Sequence, residues 1–457
     1  MIVLDGTVLS VALPTITSDL HLSGGSLIWL VNSYMLAFGG FLLAGGRLGD
    51  VYGRRRLFLI GIGVFALASL ICGLANTPSV LFSGRALQGL AGAVLTGGAL
   101  SLTVCLFADS RERAKAMAIL GFVYAAGGSV GTLVGGLVTQ LLNWHWIFLI
   151  NLPLGIGIFA YCVALLPSDE IRREARSVGF FGSAVVTLAL TLAVYGLTHA
   201  QEAGWSSTLT RQLLWSSLAL VTLFLLIEAR TENPLLPIRL FRNRNFAVAS
   251  LMGILWSAEG YAWFIVLPLY LQGVLGYDPI QVACALLPFT ILSATLSVAV
   301  SAKVVGRFGI RGPTVAGLIL ITVGLALLAY APVHSAFITH LLPAMILMGI
   351  GASVAQTALL LAAMSNIQES ESGIASGVIN TSFILGGTVG MTLLMGFATA
   401  RTLELQRLGM QMLEALNAGY QLVFLGGALL TALAGALGGW MLREAHADSA
   451  GSVSEPT

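Results

Sequence analysis

The chain has 457 residues, of which 57% are hydrophobic and only 9% charged, and its formal net charge is +2. A soluble globular protein carries about 25% charged residues, so this composition excludes an ordinary soluble domain. The four cysteines lack the paired spacing of a metal site or a disulfide framework, and we expect no metal, no other cofactor and no nucleic-acid partner.

Long apolar runs divide the chain into fourteen predicted spans. A helix needs about 20 apolar residues to cross the about 30 Å of hydrocarbon in a bilayer, and stretches such as 57–76 come close to that length. The runs begin near residues 1, 27, 57, 79, 114, 145, 179, 212, 246, 280, 312, 337, 373 and 419. The 54 glycines are typical of close helix packing in membranes.

The positions of the basic residues orient these spans. One alternating set of connections, together with the end of the last span, holds 18 of the 22 Lys and Arg residues. Because basic loops face the cytoplasm, an even number of spans places both termini there. The sequence therefore predicts a multi-pass protein of the cell membrane.

The two ends of the chain differ from the rest. From Met1 to Pro14 a helix would rise only about 20 Å, so we expect that residues upstream of Met1 are missing from the first span. The tail 444–457 is polar and is predicted to be disordered.

Landmarks recur between the two halves of the chain. Asp5 and Pro14 in the first span recur as Glu259 and Pro268 in the ninth, at a constant offset of 254 residues. Such parallel repeats are common in transporters. They predict a six-span bundle over 1–166, two inserted spans with their linkers over 167–245, and a second six-span bundle over 246–443.

Three ionisable residues fall inside predicted spans: Asp5, Arg85 and Glu259. A charge at the centre of a membrane helix costs at least about 2.5 to 3.5 kcal/mol, so such residues usually face an interior path for ions or substrate. We interpret them as coupling residues. The alternative is that Asp5 and Arg85 only neutralise each other and that Glu259 reaches the membrane surface.

The loop after the second span, GRLGDVYGRRR at 46–56, resembles the major facilitator signature G-x-L-a-D-r-x-G-r-k. The resemblance implies the major facilitator fold, with two six-helix bundles and here two extra helices between them. It also implies that a cytoplasmic latch holds the two halves together. The residues that match the latch are Gly46, Asp50, Gly53, Arg54 and Arg55.

Two further stretches resemble the fourteen-span drug:proton antiporter subfamily: LDGTVLSVALP at 4–14 and NWHWIFLINLPLG at 143–155. In the fourth span Arg85 and Gln88 match a motif that relatives link to proton transfer. In the fifth span a glycine motif of antiporters matches, except that Thr132 replaces its proline, which softens the expected kink. The matching glycines are Gly127, Gly131, Gly135 and Gly136.

The resemblance implies a proton-driven exporter of small hydrophobic or cationic molecules, and we expect the protein to function as a monomer. Our hypothesis is that Asp5 and Glu259 take up protons from outside and release them inside, while substrate leaves by alternating access. Gln88 and a group of aromatic residues are candidates for substrate binding by stacking and cation–π contacts; interfacial belts use the same residue types. The aromatic group is Trp256, Tyr261, Trp263 and Phe264.

Two other functions stay open at this stage. A proton-coupled importer of the same fold is disfavoured by the glycine motif and the first-span motif. A membrane enzyme or non-transporting receptor is disfavoured because the sequence shows no nucleophile motif, phosphate loop or metal cluster. The identity of the substrate and the number of protons do not follow from the sequence.

Overall fold

The computed structural model describes residues 1–106, 110–166, 179–231, 234–365, 367 and 372–443. Within these ranges the chain forms helices and no strands, and twelve helices are long and apolar enough to cross a membrane. Two more long helices, Pro78–Leu106 and Ser110–Leu141, lie where the fourth and fifth spans were predicted. The chain is an all-α polytopic membrane protein, as predicted; the tail 444–457 lies outside the described residues.

The helices follow one another with short connections. In chain order they are α1 (Ile2–Asp19), α2 (Gly24–Tyr52), α3 (Arg54–Gly73), α4 (Pro78–Leu106), α5 (Ser110–Leu141), α6 (Trp146–Leu149), α7 (Asn151–Leu165), α8 (Phe180–Ala203), α9 (Thr208–Arg230), α10 (Arg244–Gly273), α11 (Pro279–Leu296), α12 (Ala302–Phe308), α13 (Arg311–Ala329), α14 (Leu342–Met364), α15 (Ser372–Arg407) and α16 (Met412–Met441). The short α6 and α7 form one span. α11 continues through the π-helical turn Ser297–Ser301 into α12, and a second π turn, Phe337–Leu341, leads into α14.

Burial separates central helices from peripheral ones. The apolar stretches of α2 and α10 are each 67% buried, whereas that of α9 is only 17% buried. Large apolar side chains on the outer helices are exposed, for example Ile156 on α7 and Trp215 on α9. Exposed apolar side chains are favoured in the hydrocarbon core of a bilayer and disfavoured in water. We therefore infer that α2 and α10 lie at the core of the protein and that α9 faces lipid.

Helices α1–α7 and α10–α16 meet along several contacts. Asn32 Nδ2 on α2 donates to Thr392 Oγ1 on α15 at 2.7 Å, and Gln272 Nε2 on α10 donates to the Val11 carbonyl on α1 at 2.9 Å. A Cβ added at Gly136 of α5 would lie only 2.6 Å from the carbonyl oxygen of Pro279 at the start of α11. The first and last groups of helices are therefore in direct contact.

The inserted pair packs against itself and against both groups. Gly40 of α2 lies against Thr187 of α8, and Gly396 of α15 lies against Gln201 of α8. Because α8 contacts one helix from each group, it lies beside their boundary, while α9 packs on its outer side.

Candidate functional site: a buried carboxylate cluster

The polar centre of the first helix group is an ion pair between α1 and α4. Arg85 Nη1 lies 2.5 Å from Asp5 Oδ2, and both side chains are only 1% exposed. Neither residue can reach water without moving, so the two charges must stabilise each other. Their remaining donor and acceptor atoms need further hydrogen bonds within the protein. The structure brings Arg85 and Asp5 together, and this contact is compatible with a coupling role and with mutual neutralisation.

Gln88, one helical turn after Arg85, links both members of the pair to α3. Its Nε2 donates to Asp5 Oδ1 at 3.1 Å and to Ser69 Oγ at 2.8 Å, while its Oε1 accepts from Arg85 Nη1 at 2.9 Å. Cys72 Sγ on α3 also donates to this Oε1, at 3.6 Å. Gln88 is completely buried, and its amide is fully used in ordering the carboxylate and the guanidinium.

Asn151, at the start of α7, supplies a third donor to the carboxylate. Its Nδ2 donates to Asp5 Oδ1 at 2.9 Å, and the residue is completely buried. Asn151 was not among the predicted site residues, although it lies within the motif at 143–155. An amide within an otherwise apolar stretch, IFLINLPLG, was the signal available.

Two aromatic rings cover the guanidinium. Arg85 Cζ lies 4.5 Å from the ring centroid of Tyr34 on α2 and 5.8 Å from that of Phe148 on α6. Cation–π attraction is strongest where the cation is removed from water. The rings therefore hold Arg85 in place and keep solvent from the ion pair.

Glu259 occupies a different environment in the second helix group. It is 3% exposed on α10 and makes no hydrogen bond or ion pair with any residue that the structure describes. Gly427 of α16 leaves room for its side chain, since a Cβ there would lie 2.8 Å from Glu259 Cγ, and Leu325 of α13 borders the same space. Glu259 is thus buried among helices without a countercharge from the described residues.

The aromatic residues of α10 do not gather at one place. Trp256 meets Phe383 of α15 edge to face, with ring centroids 6.3 Å apart, and Tyr261 lies against Gly387 of the same helix. Trp263 is instead buried against Phe289 of α11, with centroids 4.4 Å apart. The ring centroid of Phe264 lies 6.2 Å from that of Trp263. Trp256 and Tyr261 therefore contact α15, whereas Trp263 contacts α11. Gln88 belongs to the separate carboxylate cluster.

The glycine motif of α5 allows close contact with two helices. Cβ atoms at Gly127 and Gly131 would press on Val3 and Thr7 of α1, and one at Gly135 would lie 2.9 Å from the Cα of Val8. The next residue, Gly136, faces Pro279 and α11. Thr132 is buried and its hydroxyl donates to the carbonyl of Ser129 at 2.9 Å. The motif therefore packs α5 on α1, and its last glycine on the other helix group.

The loop between α2 and α3 is a single residue, Gly53, with φ at +96°. Side chains other than glycine are strained in this region. Arg55 Nη2 donates to the Val163 carbonyl near the end of α7 at 2.7 Å, and Arg47 Nη2 donates to the Pro234 carbonyl at 2.5 Å. The side chain of Asp50 lies outside what the structure describes, so the predicted latch stays a prediction.

Gly46, also in this signature, lies where α2 crosses α4. A Cβ at Gly97 of α4 would come within 2.6 Å of the backbone nitrogen of Gly46. The glycine therefore permits backbone contact between the two helices.

A bundle of apolar helices with ionisable residues buried in its interior is typical of a membrane transport protein. A model of the Major Facilitator Superfamily matches residues 1–391, and the chain belongs to this family. It is therefore a transporter and not an enzyme.

Similar proteins include antibiotic resistance and export proteins. The chain is 37% identical to the puromycin resistance protein pur8 of Streptomyces alboniger over 404 residues, which cover 88% of this chain and 80% of the relative. It is 33% identical to the cephamycin export protein CmcT of Amycolatopsis lactamdurans over 397 residues, which cover 86% of this chain and 82% of the relative.

The fold is shared with solved transporters. The crystal structure of an auto inhibited POT family peptide transporter matches with a TM-score of 0.65 over 94% of each chain at 16% identity. At this identity the likeness concerns the fold alone.

Proposed function

We propose that this transporter exports small hydrophobic or cationic compounds from the cell in exchange for protons. In this proposal residues 1–166 and 246–443 rock against each other within the cell membrane, with both termini in the cytoplasm. The protein works as a monomer and uses the proton gradient without a cofactor. This rocking would break and re-form the contacts that the latch residues of the α2–α3 loop make between the two halves.

The observation that carries the proposal is the Asp5 carboxylate, buried and held by Arg85 at 2.5 Å. A carboxylate exchanges protons with water, and its proton equilibrium depends on burial and on a nearby cation. When the path opens to one side, water can deliver a proton to Asp5. When the path opens to the other side, Asp5 can return the proton.

Glu259 supports a second proton site. Its lack of a partner among the described residues leaves its carboxylate without the charged neighbour that Asp5 has. A buried carboxyl group without a countercharge is favoured in its neutral form. A movement that exposes Glu259 to water would release its proton, so the two carboxylates can exchange protons at different stages of one cycle.

The direction and the substrate class rest on the relatives. Proteins similar along most of this chain are named for resistance to puromycin and for export of cephamycin. Trp256 and Tyr261, on the part of α10 that meets α15, would supply aromatic surface to flat or cationic substrates.

Efflux in oriented vesicles tests the direction and the coupling. Everted vesicles from cells that express the full chain are expected to accumulate a fluorescent cationic dye when respiration acidifies their interior, and an uncoupler should abolish the accumulation. Vesicles with an exposed acid changed, Glu404→Gln, serve as the control, because Glu404 is 60% exposed in a surface pair with Arg401. Uptake only in right-side-out vesicles would instead support the importer, and accumulation that persists with the uncoupler would refute proton coupling.

A further inference from the structure

We propose that Asn151 is a positioning residue that hydrogen-bonds Asp5 in both of its protonation states, by turning its side-chain amide. The inference rests on the proposed proton coupling and names a residue that makes it possible. In the state described above, Asn151 Nδ2 donates to Asp5 Oδ1 at 2.9 Å.

The other end of the same amide carries the argument. Asn151 Oδ1 is buried and accepts no hydrogen bond from any residue within the described ranges, although the residue is completely enclosed. Buried polar atoms in folded proteins are almost always paired. The orientation itself follows from chemistry, because the reverse orientation would place Oδ1 against the Asp5 carboxylate, where two acceptors repel.

The other partners of Asp5 cannot accept a hydrogen bond from the O–H of a protonated Asp5. Arg85 carries donors and no acceptor. Gln88 Oε1 already accepts from Arg85 Nη1 at 2.9 Å and from Cys72 Sγ at 3.6 Å. A proton on Asp5 turns one acceptor oxygen into an O–H donor, and Asn151 Oδ1 is the acceptor within the cluster that has no other hydrogen bond.

The proton step is simple. A proton from water in the open path bonds to Asp5 Oδ1, and the amide of Asn151 rotates by about 180° about χ2, a torsion with a broad, roughly two-fold profile. Oδ1 of Asn151 then accepts the new O–H. When the proton returns to water on the other side, the amide turns back and Nδ2 again donates to the carboxylate.

Among the residues whose side chains the structure describes, few other titratable groups face the cluster. Arg85 approaches from α4, Cys72 from α3 and Tyr34 from α2, where its ring covers the guanidinium. The terminal amine of Met1 lies one helical turn before Asp5. On α5 the described Gly127 and Gly131 pack against Val3 and Thr7 of α1, and α7 contributes the neutral Asn151. A change in pH dependence after substitution of Asn151 would therefore reflect Asp5 and these four groups.

The test compares Asn151→Leu with a matched asparagine. Asn417 on α16 is also buried, donates Nδ2 to the Ala331 carbonyl at 3.4 Å and has an unpaired Oδ1, but it lies outside the Asp5 cluster. Infrared difference spectra between acid and alkaline pH, on the purified full chain in lipid, record the C=O band of protonated Asp5. The band is identified by its loss in Asp5→Asn. We expect Asn151→Leu to shift this band, because the O–H loses its acceptor, and Asn417→Leu to leave it in place.

Transport gives a second readout. A hydrogen bond to a charged group is about twice as strong as one between neutral groups, so loss of Asn151 disfavours the carboxylate more than the acid. The pH of half-maximal dye transport should therefore rise by about one unit, a tenfold change in the proton equilibrium, in Asn151→Leu and in the smaller Asn151→Ala.

The outcomes separate this inference from the proposed function. An unchanged band in both Asn151 variants, or an equal shift in Asn417→Leu, overturns the role of Asn151. If the wild-type protein shows no proton-coupled transport, the proposed function fails, and the infrared band still decides whether Asn151 binds protonated Asp5. If Asn151→Leu does not fold, Asn151→Ala is scored in its place.

Discussion

Replacing Asp5 with leucine is expected to lower the free energy of unfolding by about 3 to 5 kcal/mol, the typical cost of removing one member of a buried ion pair. The reason is the fate of Arg85. Its side chain is 1% exposed, and a guanidinium cannot lose its proton in a protein. The charge would remain buried with Gln88 as its hydrogen-bonding neighbour in the cluster.

Replacing the other member of the ion pair, Arg85, should lower the free energy of unfolding by less. In Arg85→Met the carboxyl group of Asp5 can become neutral by taking up a proton and keeps Gln88 and Asn151 as neighbours, so we expect a loss of about 1 to 3 kcal/mol. The double variant Asp5→Leu with Arg85→Met leaves no charge and should recover most of the stability while transport stays lost.

Unfolding in mixed micelles measures these differences. Glu404→Leu is the control, because its exposed pair with Arg401 should contribute only about 0 to 1 kcal/mol. Equal losses for Asp5→Leu and Glu404→Leu would show that the Asp5 and Arg85 charges are not buried together. A double variant less stable than Asp5→Leu would show that packing, and not charge, dominates the cluster.

Replacing Glu259 with glutamine should change transport strongly and stability little. Glu259 has no ion pair among the described residues, so Glu259→Gln leaves no countercharge behind, and we expect little change in stability. Transport should change strongly. One proton entering across 100 mV supplies about 2.3 kcal/mol, so each proton lost from the cycle lowers the attainable substrate gradient about fiftyfold.

The steady-state dye gradient across everted vesicles at a fixed membrane potential measures this effect. Glu259→Gln and Glu404→Gln make the same chemical change inside and outside the bundle, so their comparison isolates the position of the acid. A gradient in Glu259→Gln equal to that of the wild type would remove Glu259 from the coupling mechanism.

The contrast between the two carboxylates is the main structural result for function. The repeat predicted Asp5 and Glu259 as equivalents, and both are buried in the first helix of their group. Their surroundings differ, because Arg85 and Asn151 contact Asp5, whereas the space next to Glu259 is bordered by Gly427 and Leu325. Gly349 corresponds to Gly89 in the repeat, so the residue that corresponds to Arg85 is Met345, which carries no charge.

Much of the fold could be predicted because the bilayer imposes a simple rule on composition. Apolar runs of sufficient length located the spans, and the largest error is at α16, which begins at Met412 and not near residue 419. The first turns of α16 contain Glu414 and the last turns of α15 contain an exposed pair between Arg401 and Glu404. These polar helix ends leave the hydrocarbon, so hydropathy cannot detect them.

The site could be predicted only in part. An ionisable residue in an apolar span is conspicuous, so Asp5, Arg85 and Glu259 were found from the sequence. Asn151 carries no charge and lies 146 positions from Asp5. Only the tertiary arrangement, in which α7 packs on α3, brings it to the carboxylate. The aromatic residues of α10 were grouped by nearness in sequence, but helix geometry directs Trp256 and Trp263 to different neighbours.

Proton movement driven by substrate is the most direct test of the central claim, that acids inside the bundle exchange protons as substrate crosses. The purified full chain would be reconstituted into liposomes that contain a pH-sensitive dye, with no membrane potential imposed. An inward substrate gradient should drive protons out of the liposomes with the wild-type protein, and this movement should be lost in the variant that carries both Asp5→Asn and Glu259→Gln. Substrate uptake without any pH change in the wild type, or an undiminished pH change in the double variant, would contradict the account.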